Sequence, residues 1–112
     1  MVTKDIEVFK GDTWDGLEIQ AVVNGSKLPD ATTAKIEIRK DGKTGLVVKT
    51  LVSGTDIVVS QETSYTKILI NPFIVELIVG MYYYDLELTM EGRIKTYLGG
   101  TFTVIQDTTQ HG

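Results

Sequence analysis

The segment that decides the fold spans Gly80–Met90 and reads GMYYYDLELTM. Large apolar side chains recur in it at every second position, and the set is Tyr82, Tyr84, Leu86, Leu88 and Met90. Because side chains alternate between the two faces of an extended chain, this spacing gives one apolar face and one mostly polar face. A helix would scatter the same residues around its circumference. The sequence therefore predicts a long central strand whose apolar face lies in the core.

Length and composition limit the class of protein. A chain of 112 residues is long enough for one ordinary domain, which we place at residues 1–106, followed by a flexible polar tail at 107–112. Fifteen acidic and eleven basic side chains give a net charge of −4, which argues against nucleic acid as a partner. No apolar stretch approaches the roughly 18 residues that cross a bilayer, so we expect no membrane partner. The absence of cysteine excludes disulfides, thiolate metal sites and cysteine nucleophiles.

Outside the central strand, short alternating segments are separated by turn signals about every 8 to 12 residues. Asn24-Gly25 predicts a tight turn because both residues tolerate positive φ, and Glu91-Gly92 predicts a hairpin after the central strand. One strand is predicted over Thr13–Val23, with Trp14 near its start. About eight short strands in this arrangement are typical of an all-β sandwich or barrel.

Two connections carry predictions of their own. Asn71-Pro72 resembles a helix start, with an N-cap followed by proline at the first helical position, and Phe73 and Leu77 would then share a helix face. We therefore predict one or two helical turns over 73–79, with an extended segment as the alternative. Closer to the C-terminus, Gly99-Gly100 is predicted to break or bulge the strand that follows the hairpin.

Candidate catalytic or metal-binding residues are few. The only histidine, His111, lies in the polar tail, where no third group is expected to orient it as a base. Asp85 and Glu87 share one face of the central strand about 7 Å apart, but alternating charges are expected on any wet sheet face. Asp12 and Asp15 lie in a glycine-bracketed loop that could attract calcium, although the alternating acids of a calcium loop are missing. We therefore predict no catalytic residues, no metal site and no cofactor.

The aromatic residues allow two interpretations. As part of the apolar face, they give a structural core of Trp14, Tyr82, Tyr84, Leu86 and Leu88. Tyr82 follows Gly80 by two residues, as in the tyrosine corner of immunoglobulin-type sandwiches, where the hydroxyl bonds back into the preceding loop. Tyr83 falls on the polar face, and with Tyr97 and Trp14 it keeps open the alternative of a carbohydrate-binding or adhesion module.

Several short motifs follow one another in a distinctive order. They are KGDT at 10–13, a short strand with a proline-containing connection at 69–77, GMYYYDLEL at 80–88, GR at 92–93, YLxGxFxV at 97–104 and DxT at 107–109. In this order they resemble small immunoglobulin-like β-sandwich proteins of tailed bacteriophages and prophages, among them the N-terminal domain of phage baseplate upper proteins. The resemblance implies an all-β, immunoglobulin-like antiparallel β-sandwich of about seven to nine strands with at most one short helical turn.

The same resemblance implies a function. Such proteins are non-enzymatic parts of the tail, baseplate or neck of the virion, and they act through protein–protein contacts with other virion proteins or with copies of themselves. We therefore expect a virion protein that is made in the cytoplasm of the bacterial host. Its candidate contact residues are the polar loop Lys40–Gly45 and Tyr65. An enzyme is the least favoured class, because it would need a pocket with convergent acids.

Overall fold

The computed structural model describes residues 2–42 and 44–106, and within them the chain forms strands and no helix. The strands are β1 (Val2–Thr3), β2 (Ile6–Phe9), β3 (Thr13–Trp14), β4 (Leu17–Ala21), β5 (Thr33–Lys40), β6 (Val47–Val52), β7 (Ile57–Gln61), β8 (Thr66–Ile70), β9 (Phe73–Ile74), β10 (Gly80–Met90) and β11 (Arg93–Ile105). Three of them, β1, β3 and β9, are only two residues long. The predicted all-β sandwich is confirmed. The tail predicted at 107–112 lies outside the described residues.

The larger sheet has the order β1-β11-β10-β5-β6, and β2 also pairs with β11. Its long strands are antiparallel to their neighbours. By contrast, β1 and β2 run parallel to β11, which differs from the wholly antiparallel sandwich that the sequence suggests. An N-terminal segment laid beside the last strand covers backbone groups that would otherwise form an open sheet edge.

The smaller layer consists of the three-stranded sheet β4-β8-β7 and the two-stranded sheet β3-β9. The β3–β9 and β4–β8 pairs share one register, although two residues separate β3 from β4. The two ladders are therefore parts of one interrupted ladder. Gly16 marks the interruption: its φ is 83°, and a Cβ at this position would overlap the carbonyl oxygen of Ile70. The single strand predicted over 13–23 is therefore divided into β3 and β4.

The core lies between the larger sheet and the smaller layer. From β10 it receives four side chains of 6% exposure or less, namely Tyr82, Tyr84, Leu86 and Leu88. The smaller layer contributes buried isoleucines at positions 57, 68 and 70. Burying one large apolar side chain stabilises a fold by about 1.5–3 kcal/mol, so the alternation in β10 supplies a substantial part of the stabilising free energy.

Trp14 closes the side of this core at which β3 and β9 lie. Its ring is half-buried and meets two phenylalanine rings edge-on, that of Phe73 at 5.3 Å and that of Phe102 at 5.5 Å between ring centroids. Edge-on aromatic pairs at such distances add attraction beyond the burial of their area. These contacts join β3 and β9 to β11 of the larger sheet.

The start of β10 contains the predicted tyrosine corner. The Tyr82 hydroxyl donates a hydrogen bond to the carbonyl oxygen of Ile78 at 2.5 Å, four residues upstream in the connection that precedes the strand. A buried tyrosine hydroxyl needs such a partner. The bond ties the connection to the strand, and β10 is the penultimate strand of the fold.

The connection before β10 is extended at its start, and the helical turns predicted over 73–79 are wrong. Phe73–Ile74 forms β9. The next residue, Val75, donates its N–H to the carbonyl of Asp12 at 2.9 Å and accepts from the N–H of Gly11 at 2.8 Å. These partners satisfy backbone groups that a helix would bond internally, and a single helical turn has little stability of its own.

The last strand also differs from its prediction. β11 runs unbroken over thirteen residues, so a break or bulge at Gly99-Gly100 is wrong, and both glycines pair with β10. The irregularity is a β-bulge at Tyr97, the extra residue between Thr96 and Leu98. A bulge leaves one extra residue of a strand unpaired in the ladder, and here that residue is Tyr97 rather than a glycine.

Candidate functional site

A groove of about 240 Å³ crosses the outer face of the larger sheet, the face turned away from the core. One row of paired residues runs through it, from Thr3 on β1 across Gly99 on β11 and Asp85 on β10 to Glu37 on β5. Gly99 is the only member of this row without a side chain. The groove therefore opens above Gly99, between Thr3 and Asp85.

The bulge at Tyr97 decides which residue of β11 lies beside Asp85. If the register set by the hairpin turn continued, Leu98 would pair with Asp85 and point to the outer face. The extra residue instead places Leu98 opposite Leu86, where it is only 5% exposed, and brings Gly99 beside Asp85. A bulge shifts the strand beyond it by one position. Here the shift places a leucine in the core and leaves the groove open.

The N-terminal segment forms one wall of the groove, and further hydrogen bonds hold it there in addition to its pairing with β11. The N–H of Lys4 donates to a β11 carbonyl oxygen at 2.8 Å, and Asp5 Oδ1 accepts from the N–H of Thr101 at 3.0 Å. From the core side, the Tyr84 hydroxyl donates to the carbonyl oxygen of Lys4 at 2.7 Å. Gly100 permits this close approach, because a Cβ at that position would overlap the Lys4 carbonyl. The wall is thus part of the folded sheet.

Charged side chains form the opposite wall and the margin of the groove. Arg39 Nη2 donates to Glu37 Oε1 at 2.7 Å, so the Glu37 carboxylate is already paired. Lys35 lies at the margin, with its Nζ 3.7 Å from Glu87 Oε1 and 4.0 Å from Glu37 Oε2. Within the described residues, the Asp85 carboxylate makes no hydrogen bond or ion pair.

The surroundings of Asp85 make its ionised form costly. Burial raises the pKa of this carboxyl above its ordinary 3.8, the charges of Glu87 and Glu37 raise it further, and Arg39 and Lys35 oppose the shift. Glu37 lies directly opposite Asp85 on the neighbouring strand, and like charges in that position repel. A positive charge placed beside Asp85 would therefore stabilise its ionised form.

Tyr84 lies beneath the groove as a neutral hydrogen-bond donor. Burial, followed by the charge of Asp5, raises the pKa of the Tyr84 hydroxyl to about 12. The hydroxyl thus keeps its proton, and its bond to Lys4, across the whole physiological pH range.

The acids singled out in the sequence lie in different surroundings. Asp85 and Glu87 share the outer face, as their spacing predicts, but only Asp85 lines the groove. Asp12 and Asp15 line a separate depression of about 280 Å³ beside β3. In the described part of the chain, no three acidic or histidine side chains lie close enough to hold a metal ion. His111 lies outside that part.

The aromatic residues do not form a row on one face. Trp14 and Tyr97 pack against the core, and of the three rings Trp14, Tyr83 and Tyr97 only Tyr83 lines the groove. Stacking platforms for a sugar chain need several exposed rings side by side, so this arrangement disfavours the carbohydrate-binding alternative.

Three charged residues of the groove were not singled out from the sequence: Asp5, Glu37 and Arg39. The alternation in β5 already places Glu37 and Arg39 on its wet face, and that signal could have found them. Asp5 lies in the groove because the N-terminal segment pairs in parallel with β11. No local pattern in the sequence predicts this pairing. Of the candidate contacts in the loop Lys40–Gly45, Gly45 is joined to a residue of the groove, since Arg39 Nη1 donates to the carbonyl of Gly45 at 3.0 Å. Tyr65 lies between β7 and β8 in the smaller layer.

No protein-family model matches this chain, and a comparison with curated proteins finds no relative. Across residues 2–42 and 44–106, no helix is long and apolar enough to cross a membrane.

Proposed function

We propose that this chain is a non-enzymatic structural or assembly protein of a phage or prophage virion, in the tail, baseplate or neck, and that it acts through protein–protein contacts. The order of motifs from Lys10 to Thr109 supports a place in a phage particle. The shape of the groove supports binding to another protein as the mode of action. At about 240 Å³, the groove lies below the roughly 300 Å³ at which small-molecule sites begin. It has the size of a recess for one side chain of a partner.

The chemistry of the groove supports binding more than catalysis. Glu37 is paired with Arg39, and Asp5 accepts a backbone hydrogen bond. That leaves Asp85 as the one acid in the groove whose carboxylate has no partner within the described residues. In nucleophilic catalysis the nucleophile and its activating base lie within hydrogen-bond reach of each other, and within the described residues Asp85 has no such neighbour.

Mass spectrometry of purified particles or tail assemblies from the source phage tests this function. We expect the polypeptide in stoichiometric amounts, and in a defined subassembly after controlled disruption of the particle. Particles that assemble and infect normally without any trace of this chain would contradict a virion role.

A further inference from the structure

We propose that the groove receives one lysine or arginine side chain of a partner protein, so that the outer face of the larger sheet docks a basic segment of that partner. This inference rests on the proposed function as a protein-interaction module, but it does not depend on which particle contains the chain. It names the residue type that the partner must present and the place at which it is bound.

The shape of the groove suits a long, thin side chain. The missing side chain at Gly99 leaves a gap between Thr3 and Asp85. The ring of Tyr83, the next residue of β10 on the same face as Asp85, lines the same groove. Lysine and arginine place an apolar stem along a surface and keep the charged group at its end. Such a stem can lie along Tyr83, with its cationic end at Asp85, and an aromatic face adds to the attraction for a cation.

The charges in the groove favour a cation. Three carboxylates line it, those of Asp5, Glu37 and Asp85, against the single guanidinium of Arg39. Arg39 donates to Glu37 at 2.7 Å, and within the described residues no ion pair joins it to Asp85. A cation from a partner would therefore pair with Asp85, the one groove carboxylate that has no partner among the residues the structure describes.

The charge of the whole molecule indicates the kind of partner. At a net charge of −4, two copies of this chain repel each other, whereas a basic partner is attracted. Charge complementarity thus favours a different protein over a second copy as the occupant of the groove.

Binding of this kind depends on pH in a defined direction. The groups that face Asp85 are Glu87 on its own strand and Glu37, Arg39 and Lys35 on β5, while Gly99 faces it from β11. Because the pKa of Asp85 is raised, acid protonates this carboxylate before an ordinary aspartate and removes the charge that attracts the cation. Binding should therefore strengthen as the pH rises through the pKa of Asp85 and then stay constant towards neutral pH.

A titration of the full ¹⁵N-labelled chain with capped pentapeptides tests the proposal by NMR. The probes are acetyl-GGKGG-amide, its arginine counterpart and, as an uncharged control of similar shape, its norleucine counterpart. We expect saturable amide shifts at Tyr83, Gly99 and Thr101 with the lysine and arginine peptides and none with norleucine. Equal shifts with norleucine, or shifts confined to the smaller layer, would overturn the proposal.

Two variants and one matched control sharpen the test. Asp85→Asn should weaken binding of the lysine peptide at least fivefold, and Gly99→Leu should abolish it by filling the groove. Gly99 does not have a positive φ, so its backbone conformation is not restricted to glycine. Asp30→Asn makes the same chemical change in an exposed loop and should leave the affinity unchanged. Should Gly99→Leu fail to fold, Asp85→Asn still decides the question, and wild-type affinity in Asp85→Asn refutes the proposal.

Other occupants give different results in the same experiment. Shifts at Gly99 that depend on the concentration of the protein alone would show a second copy in the groove, and saturable shifts with a neutral oligosaccharide but not with the lysine peptide would show a sugar site. Either result overturns the inference. If the chain binds the lysine peptide but is absent from particles, the groove assignment stands and the virion role is refuted. If the chain is present in particles but does not bind the peptides, the virion role stands and the groove assignment is refuted.

Discussion

The two faces of β10 consist of alternate residues of one strand, yet different interactions define them. On the inner face, Tyr82, Tyr84, Leu86 and Leu88 are buried against the smaller layer. On the outer face, Tyr83 and Asp85 are half-buried and form part of a groove. The inner face follows from the alternation of a single strand. The outer face depends on the register of β10 with β11 and β5, and so on residues distant in the sequence.

The inner face of β10 contributes mainly to the stability of the fold, and we propose that the outer face contributes mainly to binding. Substitutions on the inner face should lower the free energy of unfolding strongly, because they leave cavities in a packed core. Substitutions on the outer face should change the stability little, because water and movable side chains surround them. The following expected outcomes test this division, from the largest effect to the smallest.

Leu86→Ala should produce the largest loss. This side chain is completely buried, so its removal should lower the free energy of unfolding by about 2–5 kcal/mol, measured by urea denaturation. Glu87→Ala, the next residue on the opposite face, serves as the control and should cost no more than about 1 kcal/mol, since the ion pair with Lys35 that it loses is partly exposed to solvent. Similar losses in both variants would refute the assignment of the two faces.

Tyr84→Phe should have an intermediate effect, because it removes the hydroxyl that holds the N-terminal segment through Lys4. The expected loss is about 0.5–1.5 kcal/mol. Tyr83→Phe provides the control on the opposite face, and its unfolding midpoint should stay close to that of the wild type.

The stability that the Tyr84 hydroxyl contributes should change at alkaline pH. Because its pKa is raised to about 12, the folded state holds this proton more tightly than the unfolded state. The stability from this group is therefore fully present below pH 10 and is lost as the pH rises towards 12. Denaturation curves between pH 9 and 12 should converge for wild type and Tyr84→Phe, and a constant difference between them would contradict the burial of this hydroxyl.

Asp85→Asn should have the smallest effect on stability, with the opposite sign. The raised pKa of Asp85 means that folding favours the protonated form, so its contribution to stability is greatest in acid and is lost as the pH rises through that pKa. Relief of a directly opposed like charge amounts to about 0.2–1 kcal/mol, and solvent screening places this half-exposed group near the lower end. Asp85→Asn should therefore be slightly more stable than wild type at pH 7 and not at pH 3. Lower stability than the wild type at pH 7 would show that the carboxylate has a partner.

The sequence predicts what depends on local patterns. The alternation over 80–90, the turn at Glu91-Gly92 and the tyrosine corner at Tyr82 all appear in the structure. Glu91 and Gly92 take φ values of 51° and 79°, as a two-residue hairpin turn requires.

What depends on pairing between distant segments escapes the sequence. The segment that starts at Phe73 is extended because β3 and the loop before it supply its partners, although Asn71-Pro72 locally favours a helix start. The groove needs the bulge at Tyr97 to bring Gly99 beside Asp85. Neither the place of that bulge nor the parallel pairing of the N-terminal segment follows from composition or periodicity.

Nitration of the three consecutive tyrosines 82, 83 and 84 tests the division of β10 most directly. Tetranitromethane is applied to the folded protein, and the products are located by tandem mass spectrometry. We expect Tyr83 to be nitrated well before Tyr82 and Tyr84, which are 4% and 6% exposed and give their hydroxyls to backbone carbonyls. In urea all three should react alike. Nitration of Tyr82 or Tyr84 as fast as Tyr83 in the folded protein would contradict the account.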